Sequence, residues 1–253
     1  MIYTGLVSVS FRSLAAAEII DLARASALDG IEWGGDVHVP PGDADHAACI
    51  GQATRSAGLR VSSYGSYFRL GRGADFGPML AAAVALQAPL IRVWAGDRGS
   101  QPAERARFAS VVAELRDVGR RAARVGIRVA LELHENTLTD TIESTCRLVD
   151  GTGLPTISCY WQPPHGQSAA ERHAGIRRLG QRISNIHVFH WLQDAAGKHL
   201  RQTLASGAEE WRQSMTLLRA LPGDRFALLE FVAHDDPAQL LADACTLKQL
   251  LAT

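Results

Sequence analysis

The chain has 253 residues, of which 47% are hydrophobic and 21% charged, a composition that suits one globular domain with a large core. The 26 basic and 26 acidic residues cancel, so the excess positive charge typical of nucleic-acid-binding proteins is absent. No stretch reaches the roughly 18 uninterrupted apolar residues of a membrane span. The N-terminal segment lacks a signal-peptide pattern and the four cysteines are scattered, so we expect a cytoplasmic protein.

Helical segments that end in glycine and pass directly into apolar segments recur along the chain. Gly30 precedes Ile31, Gly58 precedes a run that starts at Leu59, and Gly126 stands at a third such junction. Glycine just after a helix supplies the left-handed residue that ends it, and the apolar run that follows is typical of a strand. This alternation predicts repeated βα units and a parallel sheet.

Eight such units can be counted, and their predicted strands are Tyr3–Val9, Gly30–Trp33, Leu59–Tyr64, Leu90–Ala95, Ile127–His134, Thr156–Trp161, Ile183–Trp191 and Phe226–Ala233. The longest helix is predicted from Pro102 to Val125, opened by Ser100 and with Glu104 in its first turn. The last helix is predicted from Pro237 to Leu251, with Asp236 as its N-cap. Neither a dinucleotide-binding nor a P-loop glycine pattern occurs. We therefore predict one (β/α)8 TIM barrel over residues 1–253.

Polar side chains end three of these apolar strands. Glu132 and His134 stand two residues apart, His187 and His190 come late in the seventh strand, and Glu230 interrupts the apolar run of the eighth. The active site of such a barrel lies at the carboxyl ends of its strands. A charge in that position costs several kcal/mol unless it is paired or bound to a metal. Carboxylate and imidazole ligands together predict a shared divalent ion such as Mn²⁺, Mg²⁺, Co²⁺ or Zn²⁺.

These motifs resemble those of the xylose isomerase-like barrels, a superfamily of sugar isomerases and epimerases. Its members typically hold a metal through a Glu after strand five, an Asp in D-x-x-H, a His in H-x-K-D and a Glu after strand eight. Glu132, His187 and Glu230 match three of these positions. Gln162 stands where the Asp would be, three residues before His165, and Phe-His replaces Lys-Asp. The resemblance thus implies a metal site of Glu132, Gln162, His187 and Glu230.

The resemblance also implies a mechanism. The ion would stabilise an enediolate, while Glu132 and Glu230 remove and return a proton next to the carbonyl of a small sugar. His165 would steady a developing oxyanion or carry a proton. Because an amide is a neutral ligand, Gln162 leaves three possibilities open. The metal binds more loosely, His190 or His165 completes the ligand set, or the protein works without metal.

Further residues near the predicted strand ends are candidates to shape a sugar-binding pocket. Tryptophans offer flat apolar walls, and Arg92 would bind an anionic group or pair with Glu32 inside the barrel. The predicted substrate-binding set is Glu32, Trp33, His38, Arg92, Trp94, His134, Trp161 and His190.

The favoured function is a metal-dependent isomerase or epimerase of a small sugar, and three alternatives stay open. Elimination after the same proton abstraction would make the protein a dehydratase or lyase. An endonuclease IV-like nuclease would need more His and Asp ligands than the sequence offers. Gln162 also permits a metal-free sugar-binding protein. Taken singly, Glu132 or Glu230 could instead be a structural carboxylate paired with Arg92 or Arg60. The family resemblance further implies a possible homo-oligomer.

Overall fold

The computed structural model describes residues 1–101, 105–194 and 196–252. Pro102 and Glu104, predicted at the start of the longest helix, lie outside the described residues. The strands are β1 (Ile2–Val7), β2 (Gly30–Gly34), β3 (Arg60–Arg69), β4 (Leu90–Trp94), β5 (Arg128–Glu132), β6 (Ile157–Trp161), β7 (Ile183–Val188), β8 (His190–Gln193), β9 (His199–Gln202) and β10 (Arg225–Leu229). The α-helices are α1 (Ala16–Ala25), α2 (Ala44–Ser56), α3 (Gly77–Leu86), α4 (Arg105–Ala123), α5 (Ile142–Thr152), α6 (Ala169–Leu179), α7 (Ala208–Arg219) and α8 (Pro237–Ala252).

Strands β1 to β7 and β10 form a closed barrel in the order β1-β10-β7-β6-β5-β4-β3-β2. All neighbouring pairs in this barrel are parallel, and an α-helix follows each strand in the chain, after the β8–β9 hairpin in the case of β7. The predicted (β/α)8 barrel is therefore confirmed. Alternate residues of each strand face opposite sides, so the barrel has two separate apolar layers. A small cluster that includes Ala130, Tyr160 and Leu228 is distinct from the large cluster that the helices cover.

Side chains at the first turns of the helices satisfy backbone groups that the helix itself leaves unpaired. Asp236 accepts a hydrogen bond from the backbone N–H of Ala238 at 2.9 Å, as the predicted N-cap of α8 should. Ser168 and Glu171 form a reciprocal capping box at the start of α6. Among the described residues, none of the helices combines the length and the apolar composition that crossing a membrane requires.

The seventh predicted strand differs from the observed one. It was expected to run from Ile183 to Trp191, but β7 ends at Val188 and the chain leaves the barrel at Phe189. The next residues form β8, which pairs with β9 in an antiparallel hairpin where Leu192 stands opposite Leu200. The apolar run continues across the break, so its pattern gives no sign of the turn from barrel to hairpin.

Candidate metal centre and active-site cavity

Four polar side chains meet at the carboxyl ends of adjacent barrel strands. Glu132 is the last residue of β5, Gln162 follows β6, His187 lies in β7 and Glu230 follows β10. The backbone N–H of Glu230 donates to the carbonyl oxygen of Val188 at 3.0 Å, which fixes the start of this loop against β7. Parallel strands in one barrel bring residues that are far apart in sequence to one point.

His187 is fully buried and stands at the centre of this group. Its Nδ1 atom lies 3.1 Å from Glu230 Oε2, 3.2 Å from Gln162 Oε1 and 3.5 Å from Glu132 Oε1. Ligand atoms of Glu132, His187 and Glu230 lie within 4.8 Å of one another. Three oxygens therefore converge on one ring nitrogen.

The orientation of the Gln162 amide is fixed by its other end. Its Nε2 donates a hydrogen bond of 2.6 Å to the backbone carbonyl of Leu133. An amide has one donor end and one acceptor end, so its Oε1 must then point at His187. Gln162 thus presents an acceptor to the site in the manner of a carboxylate, but without its charge.

This arrangement fits a divalent cation. Within the described part of the chain, Glu230 Oε2 is buried and has no hydrogen-bond partner. A neutral His187 with its proton on Nε2 would turn the Nδ1 lone pair toward three oxygen acceptors, an arrangement that positive charge at the centre would stabilise. A proton on Nδ1 satisfies one or two of these oxygens, whereas an ion at the centre is able to bind all four atoms. One nitrogen and three oxygens suit Mn²⁺, Mg²⁺ or Zn²⁺.

A second set of contacts lies directly behind these ligands. The Arg92 Nε donates to Glu32 Oε1 at 2.8 Å, and Ser63 donates to Glu32 Oε2 at 2.8 Å. Arg92 Nη1 and Trp94 Nε1 both donate to Glu132 Oε2. Both carboxylates therefore have charged partners, and only Oε1 of Glu132 remains for the metal site.

The charges of this cluster shift the acidity of its members. Burial raises the pKa of Glu132, but Arg92 and His187 outweigh burial and lower that pKa to about 2. The pKa of Glu32 is lowered by the same balance of burial against Arg92 and His187. Burial lowers the pKa of His187, but Glu230 and Glu32 outweigh it and raise this pKa well above its ordinary value. The cluster therefore favours cationic groups at its centre.

A cavity of 410 Å³ opens above the cluster, within the range of sites for small molecules. Glu132, Gln162 and Glu230 contribute to its lining, and Trp94 and Trp191 form parts of its wall. A histidine packs against each tryptophan. His165 stacks on Trp191 with ring centroids 5.0 Å apart, and His134 lies tilted against Trp94 with centroids 4.7 Å apart. The cavity thus combines a polar end with aromatic walls.

Of the predicted substrate-binding residues, Arg92, Trp94 and His134 line this cavity. Glu32 lies behind the cluster, in contact with Arg92. His190 faces a neighbouring cleft on the other side of the β8–β9 hairpin.

Three further predicted substrate-binding residues do not line the cavity. Trp33 Nε1 donates to Thr54 of α2 at 3.1 Å, and Trp161 packs edge-on against Trp211 of α7. Both tryptophans follow an inward-facing residue in their strands, so alternation turns them toward the helices. The ring of His38 is held inside the fold, with its nitrogens 3.0 Å from Ser8 Oγ and 3.1 Å from the Leu14 carbonyl oxygen.

Several residues that line the cavity are not among those predicted from the sequence. Arg12, Tyr67, Arg201, Phe231 and Asp235 all contribute to its walls. Tyr67 lies in the irregular last part of β3, and the other four come from loops or from the hairpin. No periodic pattern in these segments indicates which side chains turn inward. Tyr67 and Phe231 adopt left-handed backbone conformations with φ of 56° and 53°. Strained residues of this kind concentrate at functional sites, but their conformation is not visible in the sequence.

A family model described as xylose isomerase-like TIM barrel matches residues 20–249. The probable 3-DHS dehydratase AsbF of Bacillus anthracis, involved in petrobactin synthesis, is similar in structure, with a TM-score of 0.82, 22% identity and coverage of 98% of this chain and 99% of that one. A D-psicose 3-epimerase is also similar in structure, with a TM-score of 0.74, 17% sequence identity and 100% coverage of both chains. A xylose isomerase-like TIM-barrel protein of Mycobacterium smegmatis, solved in complex with magnesium, has a TM-score of 0.69 and 14% sequence identity. The match covers 100% of this chain and 97% of that one. No curated protein matches the chain.

Structural likeness at these identities concerns the fold, whereas the family model spans most of the chain. Glu132, His187 and Glu230 stand where the sequence resemblance expected metal ligands, at the carboxyl ends of β5, β7 and β10. The barrel and the family match agree, and the chain belongs to the xylose isomerase-like TIM-barrel family.

Proposed function

We propose that the protein is a divalent-metal-dependent isomerase or epimerase that moves a proton next to the carbonyl of a small polyhydroxy ketone or aldehyde. The observation that carries this proposal is the convergence of three oxygens on His187 Nδ1 at the base of a 410 Å³ cavity. Family membership supports it, because the family includes proteins described as sugar epimerases. The solved relative in complex with magnesium supports a metal as cofactor.

Glu132, Gln162, His187 and Glu230 would hold the ion. When bound, a divalent cation supplies Lewis-acid stabilisation of negative charge that develops on the substrate oxygen. Gln162 contributes an oxygen but no charge, so the ligand set carries two negative charges, those of Glu132 and Glu230. We therefore expect moderate metal affinity together with strong polarisation of the substrate.

The two glutamates differ in their freedom to move a proton. Glu132 Oε2 is engaged by Arg92 and Trp94, and the pKa of this carboxyl is lowered to about 2, which makes it a weak base. Glu230 Oε2 has no hydrogen-bond partner among the described residues. Glu230 is therefore the better candidate to remove the proton. Glu132, held ionised by Arg92, would position the substrate against it. The proton would return from protonated Glu230 on the same face, or from water on the opposite face.

The cavity walls support a small polar substrate with an apolar face. Trp94 and Trp191 offer flat surfaces to a sugar ring or carbon chain. His134 and His165 pack against these tryptophans and line the same cavity, where an imidazole is able to hydrogen-bond a hydroxyl group. The four cysteines are free thiols, which favours the reducing cytoplasm as the location of this reaction.

Solvent hydrogen exchange tests the proposal. The protein is incubated with Mn²⁺ and a panel of ketoses in D2O, and deuterium next to the carbonyl is followed by NMR. We expect exchange with recovery of a sugar or its epimer, and loss of exchange in Glu230→Gln. The control Glu210→Gln removes a carboxylate that pairs with Arg172 outside the cavity and should exchange normally. Unchanged exchange in Glu230→Gln and Glu132→Gln would contradict the assignment.

A dehydratase is the second candidate, and the two imidazoles in the cavity favour it. Elimination begins with the same proton abstraction but also needs an acid that protonates the departing hydroxyl. His134 and His165 stand on the cavity wall, where they are able to serve as this acid. The structural likeness to a probable 3-DHS dehydratase is consistent with this alternative. In the same D2O experiment, loss of water and appearance of a conjugated product would favour dehydration over epimerisation.

A further inference from the structure

Glu32 is a fully buried carboxylate that the proposed proton transfer does not use. It lies in β2, away from the four strands whose ends supply the candidate metal ligands. Arg92 and Ser63 each donate to it at 2.8 Å, one to each oxygen. Its position is therefore fixed from two sides, and Arg92 balances its charge.

The same carboxylate faces the far side of the His187 ring. Glu32 Oε1 lies 3.5 Å from His187 Nε2, while Nδ1 on the opposite side faces the metal site. In the described part of the chain, Nε2 is buried and has no hydrogen-bond partner. A bare lone pair on Nε2 would be repelled by the carboxylate, so this nitrogen carries the proton. A ring shift of a few tenths of an ångström brings the two atoms into hydrogen-bond distance.

We propose that Glu32 is a positioning residue that accepts the Nε2 proton of His187 and so directs the Nδ1 lone pair into the metal site. This inference rests on the proposed metal-dependent function. Metal-binding histidines commonly donate their second N–H to a carboxylate, which fixes the ring and makes the ligating nitrogen more basic. Arg92 connects the Glu32–His187 pair to the candidate metal site, because it forms ion pairs with both Glu32 and the candidate ligand Glu132.

The ring on its other side is held by the amide of Gln162, whose Oε1 is 3.2 Å from Nδ1. Tyr160 packs edge-on against the ring, with centroids 5.0 Å apart. Packing thus limits how far the ring can move, but it cannot decide which nitrogen holds the proton. When an ion occupies the Nδ1 side, the acceptor at Nε2 favours the proton on that nitrogen, and Glu32 is the carboxylate in that place.

Nitrogen-15 NMR of His187 and metal binding together test the inference. In the wild-type protein loaded with Zn²⁺, we expect a protonated Nε2 with a downfield proton and a metal shift on Nδ1. Glu32→Gln keeps the shape but removes the charge, so Zn²⁺ affinity measured by chelator competition should fall by about ten- to a hundred-fold. The downfield proton should move upfield. Ser63→Ala, which leaves the carboxylate in place, should change the affinity by less than about threefold.

The outcomes separate this inference from the proposed function. A wild-type protein that binds no divalent metal would end the proposed function, and the inference that rests on it. Metal binding through Nε2 in the wild-type spectrum would overturn the role of Glu32 alone, and so would a folded Glu32→Gln protein that binds Zn²⁺ as tightly as the parent. Because the wild-type spectrum needs no substitution, the test stands even if Glu32→Gln fails to fold.

Discussion

The buried polar cluster has two halves of opposite character, and His187 lies between them. Behind the ring, Glu32 and one oxygen of Glu132 are matched by Arg92, with hydrogen bonds to each carboxylate. In front of it, Glu132 Oε1, Gln162 Oε1 and Glu230 Oε2 converge on the Nδ1 atom of His187. The first half is complete as it stands, whereas the proposed metal ion would complete the second half. The comparison separates charges that are paired within the fold from charges that are candidates to bind a ligand.

The largest expected effect comes from breaking the complete half. Arg92→Met leaves Glu32 and Glu132 buried without their common cation, and we expect the free energy of unfolding to fall by about 3–5 kcal/mol. Urea denaturation of the metal-free protein measures it. The control Arg212→Met removes an exposed pair with Glu209 and should cost less than about 1 kcal/mol. Equal losses in the two variants would mean that Arg92 is not essential to the core.

The incomplete half should respond to metal rather than to folding. At a hundred times its Kd, added Mn²⁺ should stabilise the wild-type protein by about 2.7 kcal/mol, measured by thermal unfolding with and without chelator. Glu230→Gln should lose this gain. Its metal-free stability should stay within about 1 kcal/mol of the parent, because the substitution removes one of several crowded acceptors. A large loss of metal-free stability would place Glu230 in the structural half instead.

A smaller change in metal affinity is expected when the neutral candidate ligand Gln162 is replaced by a carboxylate. Gln162→Asp adds a third carboxylate near His187 and should tighten Mn²⁺ binding by about tenfold, since an added charge at this range contributes over 1 kcal/mol. Isothermal titration calorimetry measures the affinity. Gln52→Asp, on the exposed face of α2, is the matched control and should leave it unchanged. An unchanged affinity in Gln162→Asp would show that this side chain does not reach the ion.

The smallest effects should distinguish tryptophans of the cavity from those of the core. Trp191→Phe should raise KM several-fold and leave stability within about 0.5 kcal/mol, because the ring lines the cavity. Trp33→Phe loses the hydrogen bond to Thr54 and should lower stability by about 1 kcal/mol with KM unchanged. Steady-state kinetics and thermal unfolding of both variants make the comparison. The reverse pattern would contradict the inward and outward assignments.

The barrel and its candidate ligands could be predicted from sequence because both follow from local patterns. Glycine-terminated helices and apolar runs mark the βα units, and a charge at the end of an apolar strand indicates either an ion pair or a binding site. The same logic identified Glu132, His187 and Glu230 as candidates, which the fold brings to within 4.8 Å. Alternation would also have assigned Trp33 and Trp161 to the helix-facing side once Glu32 and Tyr160 were taken as inward-facing.

Other features depend on contacts between distant segments. The direction of the Gln162 amide is set by the carbonyl of Leu133, on the neighbouring strand, and nothing near Gln162 in sequence indicates it. The β8–β9 hairpin is hidden because its apolar residues continue the pattern of β7 without a turn signal. The left-handed conformation of Phe231 is imposed by the loop that leaves β10.

The hairpin has a consequence for how this protein can diversify. Strands β8 and β9 form their own two-stranded sheet beside the barrel. A side chain at Gly207, just before α7, would collide with the ring of His190 at the start of β8. The base of the hairpin therefore packs closely against the start of α7. Trp191 and Arg201 nevertheless reach the cavity wall from this separate sheet. The part of the cavity wall that the hairpin supplies can therefore vary in shape and chemistry while the register of the barrel, and with it the arrangement of the candidate ligands, stays constant.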